Sequence, residues 1–160
     1  MIGDEVLSSI RVPTHFLWGE NDPFGGPETA KQLVPKPLLY PAEKPARFGA
    51  IFYGSTSPAM QEALDVLAER GIYINALRVR GFPFQDEIAD FVASHPWVFV
   101  VEQNRDAQLK TLLVNEAKVN PTRLLSILHY DGTPITARFI IADIARRLAP
   151  PVVERLREAV

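Results

Sequence analysis

The stretch FGAIFYGSTSPAMQEALDVLAERG, Phe48 to Gly71, decides the fold. Gly49 to Tyr53 is a run without a charge, the pattern of a strand buried on both faces. Gly54 to Ser57 then supplies turn and capping residues, and Ser57 ahead of Pro58 reads as an N-cap followed by proline at the first helical position. Met60, Ala63, Leu64 and Leu67 recur at i, i+3, i+4 and i+7, so one helical face is apolar. Gly71 stands where a left-handed C-terminal stop belongs, which ends the helix near Arg70. A strand apolar on both faces needs helices above and below it. The unit therefore predicts an α/β protein with a mostly parallel sheet.

The alternation continues downstream. Ile72 to Val79 reads as a strand, Asp86 as the cap of a helix carrying Ile88, Ala89, Phe91 and Val92, and Trp97 to Val101 (WVFVV) as a second continuous apolar strand. A helix over about Asp106 to Ala117 presents Leu109, Leu112 and Leu113, and Asn120 and Pro121 end it before a strand at Leu124 to His129. Asp131 and Gly132 turn the chain. Thr136 then caps a helix presenting Phe139, Ile140, Ile144 and Leu148, and Pro150 and Pro151 separate it from a last short helix to about Glu158. Upstream, Val12 to Trp18 reads as a strand and Pro27 to Val34 as a short helix. Pro35 to Pro45 holds four prolines in eleven residues and is stiff and extended. Leu38 to Tyr40, bounded by Pro37 and Pro41, fits an edge strand, where a lost ladder donor is tolerable. The expected architecture is a three-layer α/β/α sandwich around a five- to six-stranded sheet.

The composition narrows the function classes. A chain of 160 residues with 47% hydrophobic and 22% charged residues predicts one domain spanning 1–160 with a core of ordinary size. The net charge is −2 and the Lys and Arg residues are scattered, so neither nucleic acid nor an anionic membrane is an expected partner. There is no cysteine, which excludes disulfides, Cys-ligated zinc and iron-sulfur ligation within the chain and agrees with a reducing compartment. Met1 to Ile10 is mixed and acidic rather than signal-like, and no apolar stretch approaches about 18 residues, so a soluble, cytoplasmic protein is expected.

Four phrases carry a resemblance: FGAIFYGSTSPAMQEAL (48–64), ALRVRGFPF (76–84), VFVVEQNRDAQLKTLL (98–113) and LHYDGTPITARFI (128–140). They resemble the C-terminal, transketolase C-terminal-like part of the alpha subunit of 2-oxoglutarate:ferredoxin oxidoreductases, the 2-oxoacid:acceptor oxidoreductases, over about three quarters of the chain. The resemblance implies a five-stranded sheet with one antiparallel edge, for which Leu38 to Tyr40 is the candidate. It also implies that thiamine diphosphate is held by other domains, that electrons leave through iron-sulfur clusters elsewhere, and that this domain packs against its neighbours and a beta subunit. No cofactor is expected to bind here, and no catalytic residue is carried over.

The segment VPTHFLWGENDPFGGPETAKQL, Val12 to Leu33, is similar instead to a late βα unit of an α/β-hydrolase. In that family the acid of the catalytic triad occupies the position of Asp22, but the pattern also needs a Gly-x-Ser-x-Gly elbow upstream and a histidine downstream. Neither is present: GSTSP is not that elbow, and His95 and His129 do not follow in the required loop. The expectation is thus two segments, 1–34 hydrolase-like and 35–160 transketolase C-terminal-like, joined in an engineered chimera. A natural chain with an accidental N-terminal likeness is the rival.

Each remaining site candidate has a plainer explanation. Gly54, Ser55, Thr56 and Ser57 follow a strand and open a helix, so their amides suit an anion, but capping alone also accounts for them. Glu102, Asn104 and Asp106 follow the central strand, where open α/β sheets bind ligands, yet helix capping and turn formation explain them better. Glu20, Asn21 and Asp22 lack the spacing of a calcium loop, and no metal site is expected. His15 reads as a core histidine, and His129 has Asp131 within reach but no nucleophile to serve. Arg78, Arg80 and Arg105 read as solvated or ion-paired side chains. Phe82, Phe84 and Trp97 are expected to face neighbouring domains and, left bare, to support a homodimer. Three functions remain open: a non-catalytic structural domain, an assembly domain active only with partner subunits, and a hydrolase remnant resting on Asp22.

Overall fold

The computed structural model describes residues 31–148. In chain order they form β1 (Leu38–Tyr40), β2 (Phe48–Tyr53), α1 (Ser57–Glu69), β3 (Ile74–Val79), α2 (Asp86–Ala93), β4 (Trp97–Glu102), α3 (Gln108–Asn115), β5 (Leu124–Leu128) and α4 (Ala137–Leu148). Short 3-10 turns at Gly54–Thr56 and Pro121–Arg123 precede α1 and β5. The sheet order is β1-β3-β2-β4-β5. β3, β2, β4 and β5 are parallel, and β1 runs antiparallel to β3 with Leu39 opposite Leu77.

Side-chain alternation divides the core in two. Ala50 and Phe52 of β2, Ile74 and Ala76 of β3, Phe99 and Val101 of β4 and Ile127 of β5 meet α1 and α4 on one face. Ile51, Leu77, Val79, Val98, Val100 and Leu124 meet α2 and α3 on the other. Three layers result, as expected. Phe52 and Phe99 are fully buried, and each contributes roughly 2–3 kcal/mol through the apolar area it removes from water. Gly49 lets α2 approach β2: a Cβ there would stand 2.9 Å from the ring of Phe91. No described helix is long and apolar enough to cross a membrane.

Several expectations need correction. The N-cap of α1 is Thr56, with Ser57 already helical, because Gly54 at φ +58° lets the chain enter a 3-10 turn directly from β2. Asp86 is the first residue of α2 rather than its cap, which is Gln85, and it adds negative charge to the first turn with Glu87. α3 is shorter than expected because Ala107 takes a left-handed conformation, φ 51°, and prevents an earlier start. The strand expected from Ile72 begins at Ile74, and Gly71 does take the left-handed stop, φ +77°.

The expected bare aromatic surface is not there. Phe84 and Trp97 are buried, at 7% and 8% exposure, and Phe82 packs edge-on against Phe84 with ring centroids 5.2 Å apart. These rings complete the fold instead of waiting for a neighbour. Among the described residues, the exposed large apolar side chains are Leu38, Leu39, Tyr53, Leu112 and Tyr130. The strand expected at Val12 to Trp18 and the last helix to Glu158 lie outside the described residues, as do His15, Glu20, Asn21 and Asp22; of the helix expected at 27–34, residues 31–33 are helical.

Candidate functional site

Ligands in open α/β sheets bind at the carboxyl ends of the strands, where loops from adjacent strands depart to opposite faces. Here β2 leads into α1 on one face and β4 leads into α3 on the other, and β2 and β4 are neighbours. The candidate crevice therefore lies between Gly54–Thr56 and the turn after Glu102.

Gln103 bridges the crevice. Its Nε2 donates to Ser55 Oγ at 3.0 Å and to Thr56 Oγ1 at 3.2 Å, and its Oε1 accepts from Ile135 N at 3.2 Å. One side chain thus joins the loops after β2, β4 and β5. Ser57 Oγ accepts from Gln61 Nε2 at 3.0 Å, so all three hydroxyls of the candidate anion loop have partners within the fold.

Glu102 is fully buried at the end of β4. Its Oε2 accepts from Leu109 N at 2.6 Å and Asn104 Nδ2 at 2.8 Å, and its Oε1 accepts from Lys110 N at 3.1 Å. Leu109 and Lys110 belong to the first turn of α3, whose N–H groups have no partner within the helix, so the carboxylate caps α3 from the preceding strand. Asn104 completes the arrangement, its Oδ1 accepting from Asp106 N at 3.1 Å and Gln108 N at 3.2 Å. Asp106 pairs outward with Arg105 at 2.8 Å. Capping and turn formation account for this trio, and the structure draws Glu102 and Asn104 together while Asp106 faces solvent.

The two described histidines sit at opposite ends of the sheet. His129 follows β5, is buried, and places Nε2 3.5 Å from Asp131 Oδ1. Its Nδ1 is buried without a hydrogen-bond partner among the described residues, and its ring stands edge-on to Phe139 at 4.7 Å. Asp131 accepts from the hydroxyl and N–H of Thr133 at 2.7 and 2.8 Å. Those two bonds, with a smaller contribution from His129, hold the Asp131 carboxyl below its ordinary value. His95 precedes β4 at the amino end. Its Nδ1 faces Phe91 O at 2.8 Å and its Nε2 faces Asn75 Nδ2 at 2.9 Å, while Asn75 Oδ1 accepts from Ala42 N at 2.9 Å. This chain of bonds ties the segment before β2 to β3 and α2.

Of the arginines singled out, Arg78 is half-buried, Arg80 reaches Lys36 O at 3.5 Å, and Arg105 pairs with its neighbour. Sequence reasoning missed Gln103, Asn75 and Arg123. Arg123 Nη1 donates to Ala93 O at 2.7 Å and His95 O at 3.3 Å, capping the C-terminal end of α2 from 28 to 30 residues away. No local spacing signals such partners. Two surface depressions, of about 430 Å³ beside Lys36 and Glu87 and about 330 Å³ between α3 and Ser126, are lined by none of Gly54, Ser55, Thr56, Gln103 or Asn104.

The layered sheet has solved counterparts. The 2-oxoglutarate:ferredoxin oxidoreductase from Magnetococcus marinus, solved with 2-oxoglutarate, coenzyme A and succinyl-CoA bound, aligns with 74% of this chain at 21% identity and a TM-score of 0.66. A split-gene transketolase, an inactive beta4 tetramer, aligns with 71% at 16% identity and a TM-score of 0.55. The chain shares their fold. It spans 21% of the length of the oxidoreductase chain and 42% of the transketolase chain. No protein-family model and no curated protein matches the sequence.

Proposed function

We propose that the chain is a non-catalytic structural α/β domain related to the transketolase C-terminal-like part of 2-oxoacid:ferredoxin oxidoreductase alpha subunits. The observation that carries this reading is Gln103, whose hydrogen bonds to Ser55, Thr56 and Ile135 bridge the loops at the crevice where a ligand would sit. Glu102 and Asn104 support it, since they hold the start of α3. The reading extends to the chimera: Met1 to Val34 derives from an α/β-hydrolase and carries Asp22 at the position of the triad acid. The domain needs no cofactor or metal of its own. Assay of the purified chain against ester and 2-oxoacid panels should give no turnover. Robust turnover that disappears in Asp22→Ala would overturn the proposal and establish the hydrolase alternative.

A second reading, an assembly domain of a thiamine-diphosphate-dependent oxidoreductase active only with partner subunits, draws support from the fold shared with the Magnetococcus oxidoreductase. Leu38, Leu39, Tyr53 and Tyr130 are exposed apolar side chains suited to contact with a neighbour. Co-purification with an oxidoreductase beta subunit and ferredoxin reduction by the mixture are its expected signs. Failure of both ends that reading and leaves the structural one standing.

A further inference from the structure

Among the described residues the sheet ends in β1 and β5. An edge strand turns alternate N–H and C=O groups away from the sheet, where another chain can pair with them. β1 is a poor template, three residues long and flanked by Pro37 and Pro41, which lack the donor that pairing needs. β5 differs. Its five residues, LLSIL, carry neither charge nor proline and read almost the same in both directions about Ser126. An antiparallel pair of two such strands centred on Ser126 would set Leu124 opposite Leu128 and Leu125 opposite Ile127, a self-complementary contact of two-fold symmetry.

The geometry of β5 opposes that pairing. His129 N donates to Glu102 O at 2.9 Å, so residues of its parity turn toward β4 and Leu124, Ser126 and Leu128 turn outward. The outward carbonyl of Leu124 accepts from Lys110 Nζ at 2.9 Å, and that of Ser126 accepts from the Arg147 guanidinium at 2.7 Å. Lys110 lies on α3 and Arg147 on α4, which cover opposite faces, so two cations reach the edge from both sides. Arg147 is also held by its own helix, Nε donating to Asp143 Oδ2 at 2.7 Å. Docking a strand there would displace two charged donors from acceptors they already satisfy and bring charge against an apolar strand.

We infer that Lys110 and Arg147 close the β5 edge against a second copy of this chain. Neutral side chains that keep the aliphatic length and the helix should open it. Sedimentation velocity of the full chain, with circular dichroism to confirm the fold, compares wild type with Lys110→Met/Arg147→Met at equal concentrations. The double variant should approach twice the wild-type mass as concentration rises. Adding Ser126→Pro, which removes an outward-facing donor, should return it to the wild-type mass and so separate strand pairing from the stickiness of methionine. A folded double variant with wild-type mass, or a doubling that Ser126→Pro does not reverse, overturns the inference. Should the double variant fail to fold, Lys110→Met and Arg147→Met are measured singly. A mass increase in either supports the inference, and wild-type mass in both overturns it.

Discussion

Replacing Glu102 by glutamine keeps the shape of the side chain and changes one oxygen into an NH2 group. In the native arrangement three donors converge on the carboxylate: Leu109 N and Asn104 Nδ2 at Oε2, and Lys110 N at Oε1. The amide oxygen can keep the first pair, which leaves the new NH2 facing Lys110 N–H, donor against donor, at a fully buried position. Losing that acceptor costs about 1–3 kcal/mol, the penalty for a buried donor without a partner. Removing negative charge from the start of α3 adds about 0.3–1 kcal/mol. The sum, about 1.3–4 kcal/mol, corresponds to a fall in Tm of roughly 4–12 °C for a chain of this size. Differential scanning calorimetry at neutral pH reads it, and hydrogen exchange should show faster opening at Leu109 and Lys110 than at β2. A Tm within about 1 °C of wild type would refute the claim that Glu102 caps α3.

Asn75→Ala removes the acceptor for Ala42 N and the partner of His95 Nε2 together, and urea denaturation should show a loss of about 2–3 kcal/mol with an unchanged m value. Gly49→Ala places a methyl group 2.9 Å from the Phe91 ring, an overpacking cost of about 1–3 kcal/mol, measurable in the same titration. Burial pushes the Asp143 carboxyl up, but hydrogen bonds from Arg146 and Arg147 outweigh it and leave the group below its ordinary value. Its stabilisation is therefore complete above the unfolded carboxylate value and is lost as pH falls through the lower folded one, below about pH 4. Asp143→Asn should lower Tm at neutral pH and flatten that acid decline, and parallel curves of Tm against pH for the two proteins would contradict the assignment.

Much of the fold is legible in the local sequence because its strongest signals are periodic. β2 and β4 read as strands from unbroken apolar runs, and α1 from Met60, Ala63 and Leu67, all buried as expected. β1 is readable as an edge strand from the prolines that bound it, and its antiparallel direction only from the family resemblance. Helix starts are less legible: the positive φ of Gly54 and Ala107 moves the caps of α1 and α3 by a residue or more, and capping patterns assume a regular entry. Phe84 lies in the loop before α2, outside any periodic run, and Trp97 stands at the first position of β4, so the burial of both depends on what folds over them. The site divides similarly. Glu102 and Asn104 act within eight residues of their own positions, whereas Gln103 and Arg123 bind partners 28 to 48 residues away that only the topology brings near.

The central claim is that the polar groups at the switch point of the sheet hold the fold together rather than a ligand. Titration of the isotope-labelled full chain with 2-oxoglutarate, coenzyme A and pyrophosphate, followed by amide chemical shifts of Gly54 to Ser57, Gln103 and Asn104, tests it most directly. The account expects those shifts to stay in place, and Gln103→Ala to lower Tm. Saturable shifts confined to these residues, with the Tm of Gln103→Ala unchanged, would contradict it.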